Sequence, residues 1–441
     1  MRLPSVAVDA VHTQPDHMRM TRRTLSVTAG ALLLLATAAP AGAQAPTDTT
    51  DATGAAPDRG VYEVTAGAAD GQALARAGVD VLGSRGDTVT VVADPAQAQQ
   101  LRAADVALNP VGDFDAMLAE RNPEVADPKA AADEFPEGDE DYHTYDQLMT
   151  ALETAAQDHP DITELSDVGT SHEGRTIPLM RIGAGSDTDK PEVLFTCNQH
   201  AREHLTTEMC LRIVERFTDG YGTDDTVTEL VDTRQIYVIP TVNPDGSEYD
   251  ISGGQYQGWR KNRQDQGTDL NRNWGYKWGC CGGSSGEPTS ETYRGTEAFS
   301  APETSAVRDF VNSRVVDGEQ RIKAHIDFHT YGELVLWPFG HTTDDTGEGM
   351  TEEQAQRFRS VGEEMAGTNG YTPQQSSDLY VTDGDVTDWM WGQHKILSFT
   401  FEMYPGDGGG LDGFYPGDEN IGPETQRNDE AVDILLREAG A

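Results

Sequence analysis

Apolar segments of strand length alternate with amphipathic segments of helix length from Tyr142 onwards, and this alternation constrains the fold of the 441-residue chain most strongly. The strand-like runs are Ile177–Ile182, Glu192–Cys197, Ile236–Pro240, Ile322–Phe328 and Ile396–Phe401. The helical patterns cover 145–157, 204–218, 302–314, 352–367 and 424–438. Buried strands that alternate with helices predict an α/β fold with a mixed, largely parallel, doubly wound sheet and helices on both faces. In such a sheet, ligands bind at the carboxyl ends of the strands.

The amino-terminal part has a different composition and divides into three segments. Arg22 and Arg23 precede an apolar run, 27–39, which ends before the small residues 41–43. This pattern is typical of a bacterial secretion signal, predicted over 1–43, and the run is shorter than the ~20 residues needed to span a bilayer. The arginine pair allows twin-arginine export, but residues 21–26 match that motif only loosely, which favours general secretion. A small α+β unit is predicted at 61–111, and a protease-accessible linker at 120–140.

The formal net charge of -43 excludes two kinds of partner. An acidic surface repels phosphate backbones and anionic lipid, so we expect neither nucleic acid nor a membrane as a partner. The charge fits an ordinary acidic secreted surface and a high-salt habitat equally well. We expect a secreted, extracellular monomer.

The chain has four cysteines, Cys197, Cys210, Cys280 and Cys281. In an oxidising compartment they predict one or two disulfides, with three possible pairings. A bond between the adjacent Cys280 and Cys281 would close a strained ring, but the sequence does not choose among the pairings.

Three metal-binding side chains follow two of the predicted strands. His200 and Glu203 come just after one strand, and His329 directly follows another. All three are therefore expected at the ligand-binding edge of the sheet. Two histidines and a carboxylate match a catalytic zinc site whose fourth position is left for water. His325 lies further back on the same side of its strand as His329, so we expect it to be packed in the core.

Six short motifs around these residues carry a family resemblance. They are Asn198-Gln199-His200-Ala201-Arg202-Glu203, Trp259-Arg260-Lys261-Asn262-Arg263, Asp269-Leu270-Asn271-Arg272-Asn273-Trp274, Asp327-Phe328-His329-Thr330-Tyr331, Leu379-Tyr380 with Asp388-Trp389, and Phe399-Thr400-Phe401-Glu402. With these motifs in this order, residues 142–441 resemble the M14 family of zinc carboxypeptidases. The resemblance implies a zinc exopeptidase that hydrolyses the C-terminal bond of peptides and proteins and binds one Zn2+ per chain.

The same resemblance implies a domain organisation. Residues 138–441 would form the catalytic domain. The unit at 61–111 resembles the family's inhibitory propeptide in position and size only, without a motif, and residues 44–137, which also contain the linker, would form the propeptide. An activating protease is therefore an expected partner, besides peptide substrates with a free C-terminus.

The resemblance also assigns roles around the metal. His200, Glu203 and His329 would be the zinc ligands, and Asp269 would accept a hydrogen bond that orients His200. Glu402, at the end of the last apolar strand, would be the general base that takes a proton from the zinc-activated water and passes it to the leaving amine.

A second group of residues would bind the substrate. Asn271 and Arg272 would hold the terminal carboxylate, because an arginine binds a carboxylate through two parallel hydrogen bonds. Arg260 would stabilise the oxyanion of the attacked carbonyl. The implied subsite residues are Arg202, Tyr331 and Tyr380, the last of which closes over the bound terminal residue.

The specificity pocket departs from the animal enzymes of the family. Seven positions after Tyr380 they carry an apolar residue or an aspartate, whereas this chain carries Thr387 and has an acid at Asp385. The arrangement resembles the bacterial carboxypeptidase T branch and implies that both apolar and basic C-terminal residues are accepted. A partly hydrated acid can pair with Lys or Arg without being desolvated alone when Leu or Phe binds. Alternatively, Asp385 is a solvated turn residue.

Two other functions fit the same fold. One is a peptidase or amidase that cleaves cell-wall peptides, and the pair Asn271 and Arg272 argues against it because such an enzyme has less need of a complete carboxylate clamp. The other is a non-catalytic binding module, which the retention of Arg260 and Glu402 beside all three implied ligands makes improbable. Calcium binding among the surface carboxylates stays open, since no specific motif indicates it.

Overall fold

The computed structural model describes residues 58–65, 68–85, 88–122, 134–185, 190–406 and 410–440. The predicted secretion signal at 1–43 lies outside the described residues. No helix among the described residues is long and apolar enough to cross a membrane.

An eight-stranded sheet forms the centre of the large region. Its strands lie in the order Thr372–Gln375, Leu334–Trp337, Leu397–Met403, Ile322–Thr330, Glu192–Cys197, Gln235–Ile239, Thr176–Ile182 and Thr163–Thr170. The four central strands, from Leu397–Met403 to Gln235–Ile239, run parallel to one another. Antiparallel pairs join this parallel part to the outer strands. The predicted mixed, largely parallel sheet is confirmed.

Helices cover both faces of the sheet because the central strands are apolar on both sides. In the strand Glu192–Cys197, Val193 and Phe195 belong to one core cluster and Leu194 belongs to another. The helices that pack into the first cluster are Tyr145–Asp158, His204–Asp219, Asp225–Thr233, Glu352–Asn369, Ile421–Gln426 and Asp429–Glu438. Those that pack into the second are Pro302–Ser313 and Val386–His394. A further helix, Pro244–Asp250, and a two-stranded ribbon of Val315–Val316 and Glu319–Gln320 complete this region.

Helix boundaries follow local signals where those are strong. Thr144 and Thr351 each form a capping box with a glutamine three residues later, so both helices begin where the sequence predicts. The predicted helix at 424–438 is instead two helices. Asn428 breaks it, because its buried amide bonds to Asn369, Tyr371 and the carbonyl oxygen of Glu424.

The amino-terminal unit is a separate antiparallel sheet with its own core. Its strands lie in the order Asp80–Arg85, Thr88–Ala93, Gly60–Thr65 and Asn109–Asp113, and its helices are Ala68–Ala77, Pro95–Ala103 and Phe114–Arg121. The predicted α+β unit at 61–111 therefore extends by one helix. This unit and the large region belong to one compact body. The Asn122 amide joins them by two hydrogen bonds to the Tyr256 backbone, of 2.8 and 2.7 Å.

The prediction of an open linker over 120–140 is wrong at both of its ends. Residues up to Arg121 continue the last helix of the amino-terminal unit. Phe135 is buried against Tyr142 and Tyr256, and the Asp139 carboxylate accepts hydrogen bonds from Arg121 and Tyr256. The linker prediction stands only for residues 123–133, which lie outside the described residues.

Both cysteine pairs are joined. Cys197 at the end of its strand bonds to Cys210 in the following helix, and Cys280 bonds to its neighbour Cys281. The structure therefore contains one of the three pairings that the sequence left open, the one that joins the adjacent cysteines.

Candidate active site

His200 and Glu203 lie in the tight turn between the strand Glu192–Cys197 and the helix that begins at His204. Asn198 holds this turn: its amide nitrogen donates to the carbonyl oxygens of His200 and Ala201, at 3.2 and 3.3 Å. Its amide oxygen accepts from Thr241. The turn therefore aims both side chains at the carboxyl edge of the sheet.

His329 reaches the same edge from the neighbouring strand. Its Nδ1 lies 2.9 Å from Glu203 Oε2 and 3.0 Å from His200 Nδ1, and His200 Nδ1 lies 2.8 Å from Glu203 Oε1. All three side chains are buried. Burial opposes the charge on Glu203, but the two histidines hold the pKa of its carboxyl below the ordinary value.

Each histidine has a carboxylate on the ring nitrogen that faces away from the cluster. His200 Nε2 lies 3.1 Å from Asp269 Oδ1, and His329 Nε2 lies 2.5 Å from Asp327 Oδ2. With a cation between the histidines and Glu203, these contacts would keep a proton on each Nε2 and leave both Nδ1 lone pairs for the metal. Two imidazole nitrogens and a carboxylate oxygen within 4.8 Å of one another fit the donor set of a catalytic zinc site. Among the described residues no second such cluster occurs, so the calcium expectation gains no support.

Glu402 and Arg260 lie beside this cluster. The parallel pairing of Ile322–Thr330 with Leu397–Met403 sets Glu402 directly opposite His329. Removal from bulk water raises the pKa of the Glu402 carboxyl to about 7, with Glu203 adding to the rise and His329 opposing it. The Arg260 guanidinium is held by Asp269 Oδ2, at 3.0 Å from Nη2 and 3.3 Å from Nε.

Arg272 is buried and keeps part of its hydrogen-bonding capacity. Its Nε donates to the carbonyl oxygen of Gly283, Nη1 to that of Asn271 at 2.7 Å, and Nη2 to the Tyr380 hydroxyl at 3.0 Å. Each terminal nitrogen has a second hydrogen, so two donors face the pocket. The Asn271 amide oxygen accepts a hydrogen bond from the Val386 backbone N–H. This bond turns the amide nitrogen of Asn271 towards the site.

Asp385 and Thr387 line the same pocket as the metal cluster and the arginines. Asp385 is the N-cap of the helix Val386–His394, and its carboxylate accepts from Asp388 N and Thr382 Oγ1 at 2.8 and 2.7 Å. Only 5% of its surface is exposed, so it is not the partly hydrated acid that the sequence predicted. Burial, reinforced by the Asp388 carboxylate, raises the pKa of Asp385 to about 7. The Thr387 hydroxyl contacts that of Thr400.

The strand Asp80–Arg85 of the amino-terminal unit covers this pocket. Both oxygens of Asp80 bond to Arg202, each at 2.8 Å, and Val81, Leu82 and Gly83 line the cavity beside His200 and Glu402. A Cβ added at Gly83 would lie 2.5 Å from the Tyr331 ring, so this close approach requires glycine.

Sequence reasoning missed three residues of this region. Phe414 stacks on the Arg202 guanidinium at 3.9 Å and packs against Tyr331. Asp80 follows no motif, and no local signal identifies it. Asp327 could have been found, because residues two apart on a strand face the same side as each other.

Comparisons with known proteins identify the family of the chain. The family model for zinc carboxypeptidases (peptidase M14) matches residues 148–431. The chain is 49% identical over 423 residues to a zinc carboxypeptidase of Saccharothrix mutabilis subsp. capreolus, covering 94% of this chain and 96% of that one. It is 31% identical over 304 residues to carboxypeptidase B of Astacus astacus, covering 67% and 95%.

Solved structures share the fold. Carboxypeptidase A from Helicoverpa armigera aligns with a TM-score of 0.70 at 24% identity, over 87% of this chain and 98% of that one. Thrombin activatable fibrinolysis inhibitor aligns with a TM-score of 0.65 at 24% identity, over 87% and 99%.

Proposed function

The chain belongs to the M14 family of zinc carboxypeptidases and hydrolyses C-terminal peptide bonds, and we propose that it is secreted as an inactive precursor that, once trimmed, removes single apolar or basic residues. The observation that carries the proposal is one pocket lined by His200, Glu203, Glu402 and the buried arginines Arg260 and Arg272, with His329 Nδ1 2.9 Å from Glu203 behind it. Secretion is supported by the signal-like sequence at 1–43, and the active form is proposed to be a monomer.

The carboxylate clamp makes the enzyme an exopeptidase. A substrate's terminal carboxylate would take the two free donors of Arg272 in a fork, and the Asn271 amide would add a third. Because Arg272 is buried, its charge is not satisfied by water, and a substrate without a terminal carboxylate would leave it unpaired. The Tyr380 hydroxyl, already bonded to Arg272, would close beside the terminal side chain.

Glu402 would act as the proton carrier. Zinc held by His200, Glu203 and His329 would lower the pKa of a water molecule and polarise the scissile carbonyl. Glu402 would take the proton of the attacking water and deliver it to the leaving amine, and a carboxyl with a pKa near 7 suits both transfers. Arg260, fixed by Asp269, would offer its remaining N–H groups to the developing oxyanion.

The pocket beyond the clamp supports dual specificity. Leu336 and Thr387 offer apolar contact to Leu or Phe, and Asp385 offers a carboxylate to Lys or Arg. When an apolar side chain binds, Asp385 can hold its proton and keep its bonds to Thr382 and Asp388, so no unpaired charge is buried.

The amino-terminal unit is proposed to be the inhibitory propeptide. Asp80 occupies both terminal nitrogens of Arg202, and the residues after it fill the pocket above the metal cluster. A substrate would have to displace this strand. An extracellular protease that cuts within 123–133 would start activation.

The proposed function is tested on the trypsin-trimmed protein with two blocked peptides that differ only in a C-terminal acid or amide. We expect one zinc ion per chain and hydrolysis of the acid alone. Equal cleavage of the amide would show that the carboxylate clamp is not used. Preferential cleavage of a cell-wall peptide would favour an enzyme of that class on the same fold, and a zinc-free, inactive protein would favour a binding module.

A further inference from the structure

We propose that Asp327 is a positioning residue for His329, so that the metal ligands of this enzyme are oriented by two carboxylate–histidine pairs. The inference rests on the proposed metal site. Asp269 was expected to orient His200, but no such partner was assigned to His329. The structure supplies one on the same strand, two residues before the ligand, with 2.5 Å between Asp327 Oδ2 and His329 Nε2.

The hydrogen positions around Asp327 follow from its neighbours. The Thr196 hydroxyl lies 2.5 Å from Asp327 Oδ1 and 2.8 Å from His325 Nε2. A carboxylate only accepts, so the hydroxyl donates to Asp327 and accepts from His325 Nε2–H. His325 Nδ1 then accepts from the Ser398 hydroxyl at 2.8 Å. Burial lowers the pKa of His325 to about 4, in keeping with a neutral ring.

The second oxygen of Asp327 is constrained in the same way. The Gln199 amide oxygen accepts from Trp274 Nε1, which turns the amide nitrogen towards Asp327 Oδ2 at 2.5 Å. Asp327 is therefore surrounded by donors from three elements and is fully buried. Its carboxylate cannot rotate without breaking two of these bonds.

A fixed carboxylate decides which nitrogen of His329 carries a proton. With the proton on Nε2, His329 donates to Asp327 and leaves the Nδ1 lone pair facing His200 and Glu203. The other tautomer would set two acceptors 2.5 Å apart at Asp327, and it would gain a bond from Nδ1–H to Glu203 at 2.9 Å and a 3.4 Å contact from the Asn271 amide nitrogen to Nε2. The bond to Asp327 is the shorter of the two, so a metal at Nδ1 would displace only the proton shared with Glu203, and Asp327 keeps Nε2 as the donor and Nδ1 as the ligand atom.

The test is Asp327→Asn in the full chain, with the zinc dissociation constant measured on the metal-free protein by competition with a chromogenic chelator. An amide has one acceptor where Asp327 has two, so one of the three donors loses its partner. We expect zinc affinity to fall about 10- to 100-fold. The thermal midpoint of the metal-free protein is recorded for each variant, so that lost zinc affinity is told apart from lost folding.

Asp388→Asn is the matched control. Asp388 is also buried and also pairs with a histidine, His341 Nδ1, at 2.5 Å, but outside the metal cluster. We expect its zinc affinity to equal that of the parent. An Asp327→Asn protein that folds and binds zinc as tightly as the parent overturns the inference, as does an equal loss in the control. A parent chain that binds no zinc would instead refute the proposed metal site.

A second pair of variants keeps the test decisive if Asp327→Asn does not fold. Thr196→Val removes the hydroxyl that holds Asp327 Oδ1, whereas Thr196→Ser keeps it. We expect zinc affinity to fall about three- to tenfold in the valine variant and to be retained in the serine variant. Identical affinities in the two would overturn the inference.

Discussion

At the scale of single residues, strand register places the proposed general base Glu402 beside the proposed zinc ligand His329. The two residues are paired directly across neighbouring parallel strands, so the proposed base lies beside a proposed ligand without contacting the metal cluster through a hydrogen bond of its own. Desolvation raises the pKa of Glu402, and the nearby Glu203 carboxylate adds to the rise. Base and ligand functions should therefore separate under mutation.

We expect Glu402→Gln to lower kcat at least 100-fold while zinc stays bound, because an amide keeps the shape of the side chain but cannot take a proton. Zinc content and turnover are measured on the same trimmed preparation. His329→Ala is the contrasting variant and should lose zinc and activity together. Near-normal turnover in Glu402→Gln would remove the base from the mechanism, and an active, metal-replete His329→Ala would move the third ligand elsewhere.

Asp385 should give the enzyme a pH-dependent preference. An acid whose pKa is raised to about 7 is neutral below that pH and charged above it. The ratio of kcat/KM for an Arg-ending peptide to that for a Leu-ending peptide should therefore rise between pH 6 and pH 8. In Asp385→Asn the ratio should be low and flat, with a loss of roughly 2 to 5 kcal/mol for the Arg peptide only. Asparagine also caps helices, so the fold is retained.

Equal losses for both peptides, or none for either, would show that Asp385 is not the acid of the pocket. A ratio that rises with pH even in the asparagine variant would assign the titration to another group.

How much of the site could be predicted from the sequence depends on the range of the contact. His200, Glu203 and His329 were placed at one sheet edge because each follows a recognisable strand, and the structure brings them within 3.0 Å. Asp80 could not be predicted, since its contact with Arg202 joins segments 122 residues apart with no pattern in either. Burial of Asp385 also depends on tertiary packing that no local signal reveals.

At the scale of elements, the strand Glu192–Cys197 and the helix His204–Asp219 are joined twice, by the turn that carries His200 and Glu203 and by the disulfide Cys197–Cys210. Apolar strands and helices with a clear apolar period were predicted well because these signals are local. Short edge strands such as Thr372–Gln375 and the helix Val386–His394 were not predicted, because neither shows a clear period and both are fixed by packing against the sheet.

We expect Cys197→Ala/Cys210→Ala to lower the free energy of unfolding by about 3 kcal/mol, because this bond closes a loop of 13 residues in the unfolded chain. Cys280→Ala/Cys281→Ala is the matched control. Adjacent cysteines close almost no loop, so its effect should be much smaller. Guanidinium unfolding of both variants measures the difference, and equal losses would exclude loop closure as the cause.

At the scale of the whole molecule, residues of the amino-terminal unit and of the large region line one cleft. We expect the uncut precursor to be much less active than the trimmed enzyme, and Asp80→Asn to raise the precursor's activity at least tenfold, because the buried Arg202 loses its charged partner. Initial rates before any cleavage are compared with those after trypsin.

Asp94→Asn is the control for the precursor experiment. Asp94 caps the helix Pro95–Ala103 within the same unit, and asparagine preserves that cap. We expect no change in precursor activity. Full activity in the uncut parent would remove the propeptide interpretation, and an equal rise in both variants would attribute the effect to general loosening of the unit.

The contacts of Asp80 with Arg202 and of Asn122 with Tyr256 affect when the enzyme becomes active after cleavage. Neither contact involves a residue of 123–133, so a cut there leaves both contacts in place. The severed unit becomes a bound ligand whose departure is a dissociation equilibrium, and its occupancy falls with dilution. At high concentration the cleaved protein would therefore remain inhibited by its bound amino-terminal unit. Dilution away from the cell would release that unit and raise the activity.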